Sequence, residues 1–192
     1  MRGLAFDMAA SVAPMLGDAR TQRMVWLATG VAWAVSALLA LAQPSLAPLV
    51  GVPGVSALAY SVAWLLFAWS IVLVSRLADA RRTHVLGAAI AVAAAITGVA
   101  NLVVNVLDVQ GLAEWYLYGI LVATVLLVPF SYLFARERLF RLVAFTLGLF
   151  LGIGFAPPVL TGVAVLVLFG ALALRTEWFE SRSSPPTPEP AG

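Results

Sequence analysis

Charged positions are so sparse along this chain that the runs between them define its elements. Between Arg23 and Arg76 lie 52 residues without a formal charge, between Arg82 and Asp108 lie 25, between Glu114 and Arg136 lie 21, and between Arg141 and Arg175 lie 33. A helix needs about 20 apolar residues to cross a hydrocarbon core about 30 Å thick. The two long runs therefore each hold two crossings, and the shorter runs one each. Gln43-Pro44 and Gly51-Val52-Pro53-Gly54 mark the turn inside the first run, and Pro157-Pro158 the turn inside the last. The pattern predicts six helices, at about 24–42, 56–76, 84–107, 115–135, 139–156 and 158–175. In hydrocarbon every backbone N–H and C=O must find its partner within the segment, which makes helix the viable state despite the many Val and Ile residues. The expected fold class is all-α: a polytopic membrane protein, a bundle of six transmembrane helices.

Three regions follow from the same pattern: a cytoplasmic segment over 1–23, the six-helix domain over 24–176, and a cytoplasmic tail over 177–192. The first segment contains Asp7 and Asp18 and lacks an unbroken apolar core, so it fails the test for a signal peptide. Leu4, Met8, Val12 and Met15 recur at helical spacing, which suits an amphipathic helix lying on the membrane surface; a frayed apolar terminus is the plainer reading. The tail, with four prolines after Ser181 and two adjacent serines, has nothing to bury and is expected to be disordered.

Composition sharpens the picture by exclusion. Apolar residues make up 62% of the chain and charged residues 10%, against about 25% charged in an ordinary soluble domain. That rules out a water-soluble domain, a disordered chain and a nucleic-acid binder, and makes the lipid bilayer the first partner. There is no cysteine, and His84 is the single histidine. Disulfides, Cys-ligated metals and a bis-His haem site are therefore closed to this chain alone, and no glycine-rich nucleotide loop appears. No cofactor is expected.

Orientation follows from the arginines. With six crossings both termini share one side, and all eleven arginines of the chain fall on it: Arg2, Arg20, Arg23, Arg76, Arg81, Arg82, Arg136, Arg138, Arg141, Arg175 and Arg182. Positive residues are retained on the cytoplasmic side during insertion. Both termini are expected in the cytoplasm, with the chain in the cell (inner) membrane.

Helices in lipid associate through close-packed small residues and a few polar contacts. Small residues recur at four-residue spacing in the first span (Ala28, Ala32, Ser36, Ala40) and the third (Gly87, Ala91, Ala95, with Gly98 beside them). The fifth span carries the row Ala144, Gly148, Gly152 and Ala156, which contains a GxxxG and is the preferred packing face, because its glycines weaken the helix and yet share a side. Such faces suit another membrane protein or self-association. Pro129 removes one backbone hydrogen bond from the fourth span and should kink it. The fifth and sixth spans are short, and snorkelling of Arg138 and Arg141 would lengthen the fifth. Trp26, Trp115, Trp178 and Phe179 suit an aromatic belt at span ends.

No charged side chain falls in the middle of a span, which argues against a carboxylate-driven proton pump. The hydroxyls of Ser36, Ser61, Ser70, Thr97, Thr124, Ser131, Thr146 and Thr161 can each bond a backbone carbonyl one turn earlier, and His84 at the cytoplasmic mouth is better placed as an interfacial residue than as a general base. One polar constellation stands out. Asn101, Asn105 and Asp108 are spaced to share one face of the outer half of the third span, and Glu114, Tyr116 and Tyr118 begin the fourth. Together they are a candidate outward-facing polar pocket for a cation or a polar headgroup. The plainer reading makes the asparagines interhelical glue, the acids solvated ends and the aromatics part of the belt. Two functional classes result: a non-enzymatic scaffold or accessory subunit of a membrane complex, and a small transporter or channel component. An intramembrane enzyme ranks last, because no nucleophile–base pair or metal set can be assembled.

Overall fold

The computed structural model describes residues 19–50, 54–76, 81–134 and 158–174. Among them the chain forms five α-helices: α1 (Ala19–Val50), α2 (Gly54–Arg76), α3 (Arg81–Asn105), α4 (Ala113–Phe134) and α5 (Pro158–Leu174). A single 3-10 turn, Gln110–Leu112, leads into α4. The fold is all-helical, and four of its helices are long and apolar enough to cross a membrane; in α1 that part is Arg20–Ala42. The expected fifth span, with Ala144, Gly148, Gly152 and Ala156, lies outside the described residues, as do residues 1–18 of the first segment and the tail, while residues 19–23 of that segment belong to α1.

Several boundaries differ from the sequence reading, the largest at the two ends of α1, which starts at Ala19 and not at 24. α1 does not stop at residue 42 but runs through Pro44 and Pro48 to Val50. A proline deletes one N–H bond from a helix, and α1 accepts that loss at both prolines beyond its membrane-length part. α4 likewise continues through Pro129, and the Ser131 hydroxyl bonds the Val128 carbonyl at 2.7 Å one turn below. Among the smaller differences, α3 ends at Asn105, two residues early.

The helices pack in the spatial order α5–α1–α2–α3–α4, each against its neighbours. Every seam is antiparallel: Thr29 meets Ser70 while Trp33 meets Ala63 between α1 and α2, and Gly98 faces Ser61 while Gly87 faces Ser75 between α2 and α3. Gly119 lies on Ala93 and Thr97 between α3 and α4, and Gly162 lies on Trp33 and Ala37 between α5 and α1. Running directions follow: α4 and α5 both point opposite to α1. The end where α1 starts gathers Arg20, Arg23, Arg76, Arg81 and Arg82, while Asp108 and Glu114 lie at the other end.

The interior inverts the pattern of a soluble bundle. Thr29, Ser36, Ser61, Ser70, Thr97 and Asn101 are buried, whereas Leu27, Val31, Leu38 and Leu41 on α1 and Leu117, Leu121 and Val125 on α4 are exposed. An exterior of this kind is stable only against another apolar phase. Around α2 the core is aromatic: Trp33, Tyr60, Trp64, Phe67 and Phe169 meet edge-to-face, with Trp33 and Trp64 centroids 5.3 Å apart and Phe67 and Phe169 5.9 Å apart. Such pairs each contribute about 0.5–1.5 kcal/mol beyond simple burial. Trp26 belongs to this interior and is fully buried; the belt position expected for it is corrected. It precedes Thr29, Gly30 and Trp33 by three, four and seven residues, which puts it on the face of α1 turned to α2 and α5.

Candidate functional site

Helix α3 carries the polar strip, and its sequence explains the placement. Asn101 and Asn105 are four residues apart, so they stack along one side of the last turns. Asn101 is 3% exposed and faces α2. Its Nδ2 group donates to the Ala57 carbonyl at 2.9 Å and to Ser61 Oγ at 2.8 Å, which uses both N–H bonds. Ser61 Oγ also donates to the Ala57 carbonyl at 3.0 Å, so the three groups close into a ring. On the outer side Asn105 Nδ2 donates to Asn101 Oδ1 at 2.7 Å. Asn105 itself is exposed.

Asp108 lies beyond the end of α3. The helix closes there with wider loops: the Leu107 amide bonds the Leu102 carbonyl five residues back and the Val109 amide bonds the Val103 carbonyl six residues back, both at 3.1 Å. Asp108 turns the backbone at φ 56°, a left-handed conformation that Asp and Asn enter more readily than other side chains. Its carboxylate accepts a bond from Gln110 Nε2 at 3.2 Å, on the surface. Glu114 is exposed in the first turn of α4, where a negative charge suits the positive end of the helix dipole. Tyr116 is half-buried and meets the hydroxyl of Tyr60 from α2. Tyr118 is exposed and turns the other way, toward α3.

The structure thus brings Asn101 and Asn105 into one hydrogen-bonded strip with Ser61 and the Ala57 carbonyl, and Tyr116 into contact with Tyr60. Asp108 pairs with Gln110, and Tyr118 joins Trp115 at the rim of an apolar groove of about 430 Å³ between α3 and α4. Sequence reasoning missed three partners. Tyr60 gave no signal apart from being a tyrosine near a span end. Ser61 counted only as a hydroxyl returning its proton to its own helix, which it does while also receiving Asn101. Thr29 was passed over, although its hydroxyl lies 2.7 Å from Ser70 Oγ and bonds the Val25 carbonyl at 2.8 Å. Trp33 Nε1 donates to the Ala63 carbonyl at 3.1 Å on the same seam.

Compared with known proteins, the chain matches no family model, no curated protein and no solved structure. The functional reading rests on the residues alone. Four membrane-length apolar helices and an exterior of leucine and valine place the chain among membrane proteins.

Proposed function

We propose that the chain is a multi-pass protein of the cell (inner) membrane that serves as a non-enzymatic scaffold or accessory subunit of a membrane complex. The observation that carries this reading is the way the polar strip is spent. Asn101, the most deeply placed amide of the strip, gives both N–H bonds to α2, and its oxygen receives Asn105. An amide so engaged holds two helices in register and has little left for a transported solute. The alternative, a small transporter or channel component, would use the exposed remainder at the same end: Asn105, Asp108, Glu114 and the Tyr116 edge.

The finer topology, six crossings with both termini cytoplasmic, is part of the proposal. Its support is geometric. α4 and α5 run in the same direction, which is the relation that one further crossing between them would give. The gathering of described arginines at one end supplies the orientation.

Asn101→Leu and Asn105→Leu separate the two functions. For a scaffold, Asn101→Leu lowers the stability of the purified protein in mixed micelles by about 1 kcal/mol, in line with interhelical hydrogen bonds in membranes. Asn105→Leu has a smaller effect, and neither changes ion or solute flux in proteoliposomes. Flux in the wild type that disappears in Asn105→Leu while stability holds would establish the transporter instead.

A further inference from the structure

Two seams bring the described arginines of α1, α2 and α3 to one rim. Thr29 bonds Ser70 across the antiparallel pair α1 and α2. Arg23 lies six residues before Thr29 and Arg76 six after Ser70, so both stand about 9 Å from that bond along the helix axes, at one level. Between α2 and α3, Gly87 allows an approach so close that a Cβ there would overlap Ser75. Arg76 follows Ser75 by one residue and Arg82 precedes Gly87 by five, which puts Arg82 about 6 Å further out than Arg76.

Length sets the level of this rim in a membrane. α2 has 23 residues, a rise of about 34 Å against a hydrocarbon core about 30 Å thick. Its last residue, Arg76, falls just beyond the hydrocarbon, where the lipid headgroups begin. Arg76, Arg81 and Arg82 are all exposed, and the two acids among the described residues, Asp108 and Glu114, lie at the opposite end. Residues 76–82 hold three arginines against one acid, Asp79. Like charges gathered beside a low-dielectric phase repel strongly, and an anion relieves them. The residue type adds a second observation: the chain has eleven arginines and no lysine. Retention on one side of the membrane reads either residue, whereas only a guanidinium offers a planar fork of donors that matches two phosphate oxygens.

We propose that the rim formed by the end of α2 and the start of α3 binds the headgroup of an anionic phospholipid, whose phosphate accepts forked bonds from the guanidinium groups of Arg76, Arg81 and Arg82. A headgroup of net negative charge is preferred, because a zwitterionic one would set its own cation among the arginines. The site goes beyond the scaffold reading and is independent of it, since it requires neither that function nor a particular orientation of the chain.

The test titrates the full chain in mild detergent with phosphatidylglycerol and with phosphatidylcholine, and reads bound lipid by native mass spectrometry. Phosphatidylglycerol is expected to bind more tightly, and Arg81→Gln to weaken it by about fivefold, the effect of one basic residue near an anionic surface. Because glutamine variants also weaken the orientation signal, Arg76→Lys, Arg81→Lys and Arg82→Lys are combined in a second protein that keeps charge and orientation but loses the forks. That protein should bind phosphatidylglycerol severalfold more weakly than the wild type, with binding of phosphatidylcholine unchanged. Equal affinity of the wild type for the two lipids would overturn the proposal, as would full affinity in the lysine variant, which would leave only diffuse attraction to charge. Inorganic phosphate that displaces the lipid better than chloride at equal ionic strength would overturn it too, by making a soluble anion the ligand.

Discussion

Asp108 sits in a backbone conformation that most L side chains enter at a cost of about 1–2 kcal/mol. Asp108→Gly removes that cost and is expected to leave stability unchanged or slightly raised, losing only the surface bond to Gln110. Asp108→Val should destabilise by at least about 1 kcal/mol, because a β-branched residue resists the left-handed turn; equilibrium unfolding in micelles measures both. The same residue shows how far single positions are legible. Its spacing from Asn101 and Asn105 placed it on their face only if α3 continued past Asn105, and α3 ends there, with Asp108 in the turn that follows. The pairing of Asn101 with Asn105 was legible because an i, i+4 spacing is fixed by the helix itself. Their partners Ser61 and Ala57 were not, since the register of α3 against α2 is set by packing across the seam. Trp26 was misread for a related reason: a tryptophan at a span end suits the belt, but its helix face decides, and that face is turned inward.

At the scale of elements, the seams are built on close approach to glycine. A Cβ on Gly162 would lie 2.7 Å from the Ala37 Cβ and 3.0 Å from the Trp33 carbonyl oxygen. Gly162→Ala is therefore expected to push α5 off α1 and destabilise by about 1–3 kcal/mol, the range for overpacking. Gly170 on the same helix has open space beside it, so Gly170→Ala serves as the control and should be neutral or stabilising, given alanine's better helix propensity. Denaturant titration of the two variants side by side checks the contrast. The positions of α2 to α5 were legible to within three residues because charge and apolarity alternate along the chain at membrane length. The end of α1 was not, because Pro44 reads as a stop, whereas the helix runs on through it at the loss of one backbone bond. Small-residue rows were legible only in part. Gly87, Ala91 and Gly98 of α3 are buried, whereas Ala28 of α1 is exposed, since an alanine-rich helix offers more such rows than it has seams.

For the whole molecule, the parallel course of α4 and α5 and the separation of charge between the two ends support one threading. Cysteines placed at Ser45 and Gln110 should react with an impermeant reagent from outside intact cells, and one at Ser183 only after permeabilisation. Reaction at Ser183 from outside would reverse the orientation; reaction at Gln110 and Ser183 from the same side would break the six-crossing threading. The spatial order α5–α1–α2–α3–α4 also sets a timetable. Gly30 packs on Leu166, a residue that the ribosome adds 136 positions later. At about 5–20 residues per second, α1 waits about 7–27 s for the helix that covers it. Until then its glycine and alanine seam faces lipid and any other nascent segment nearby. A chain interrupted before Pro158 would keep that seam bare, offering membrane quality control a recognition surface that the completed protein hides.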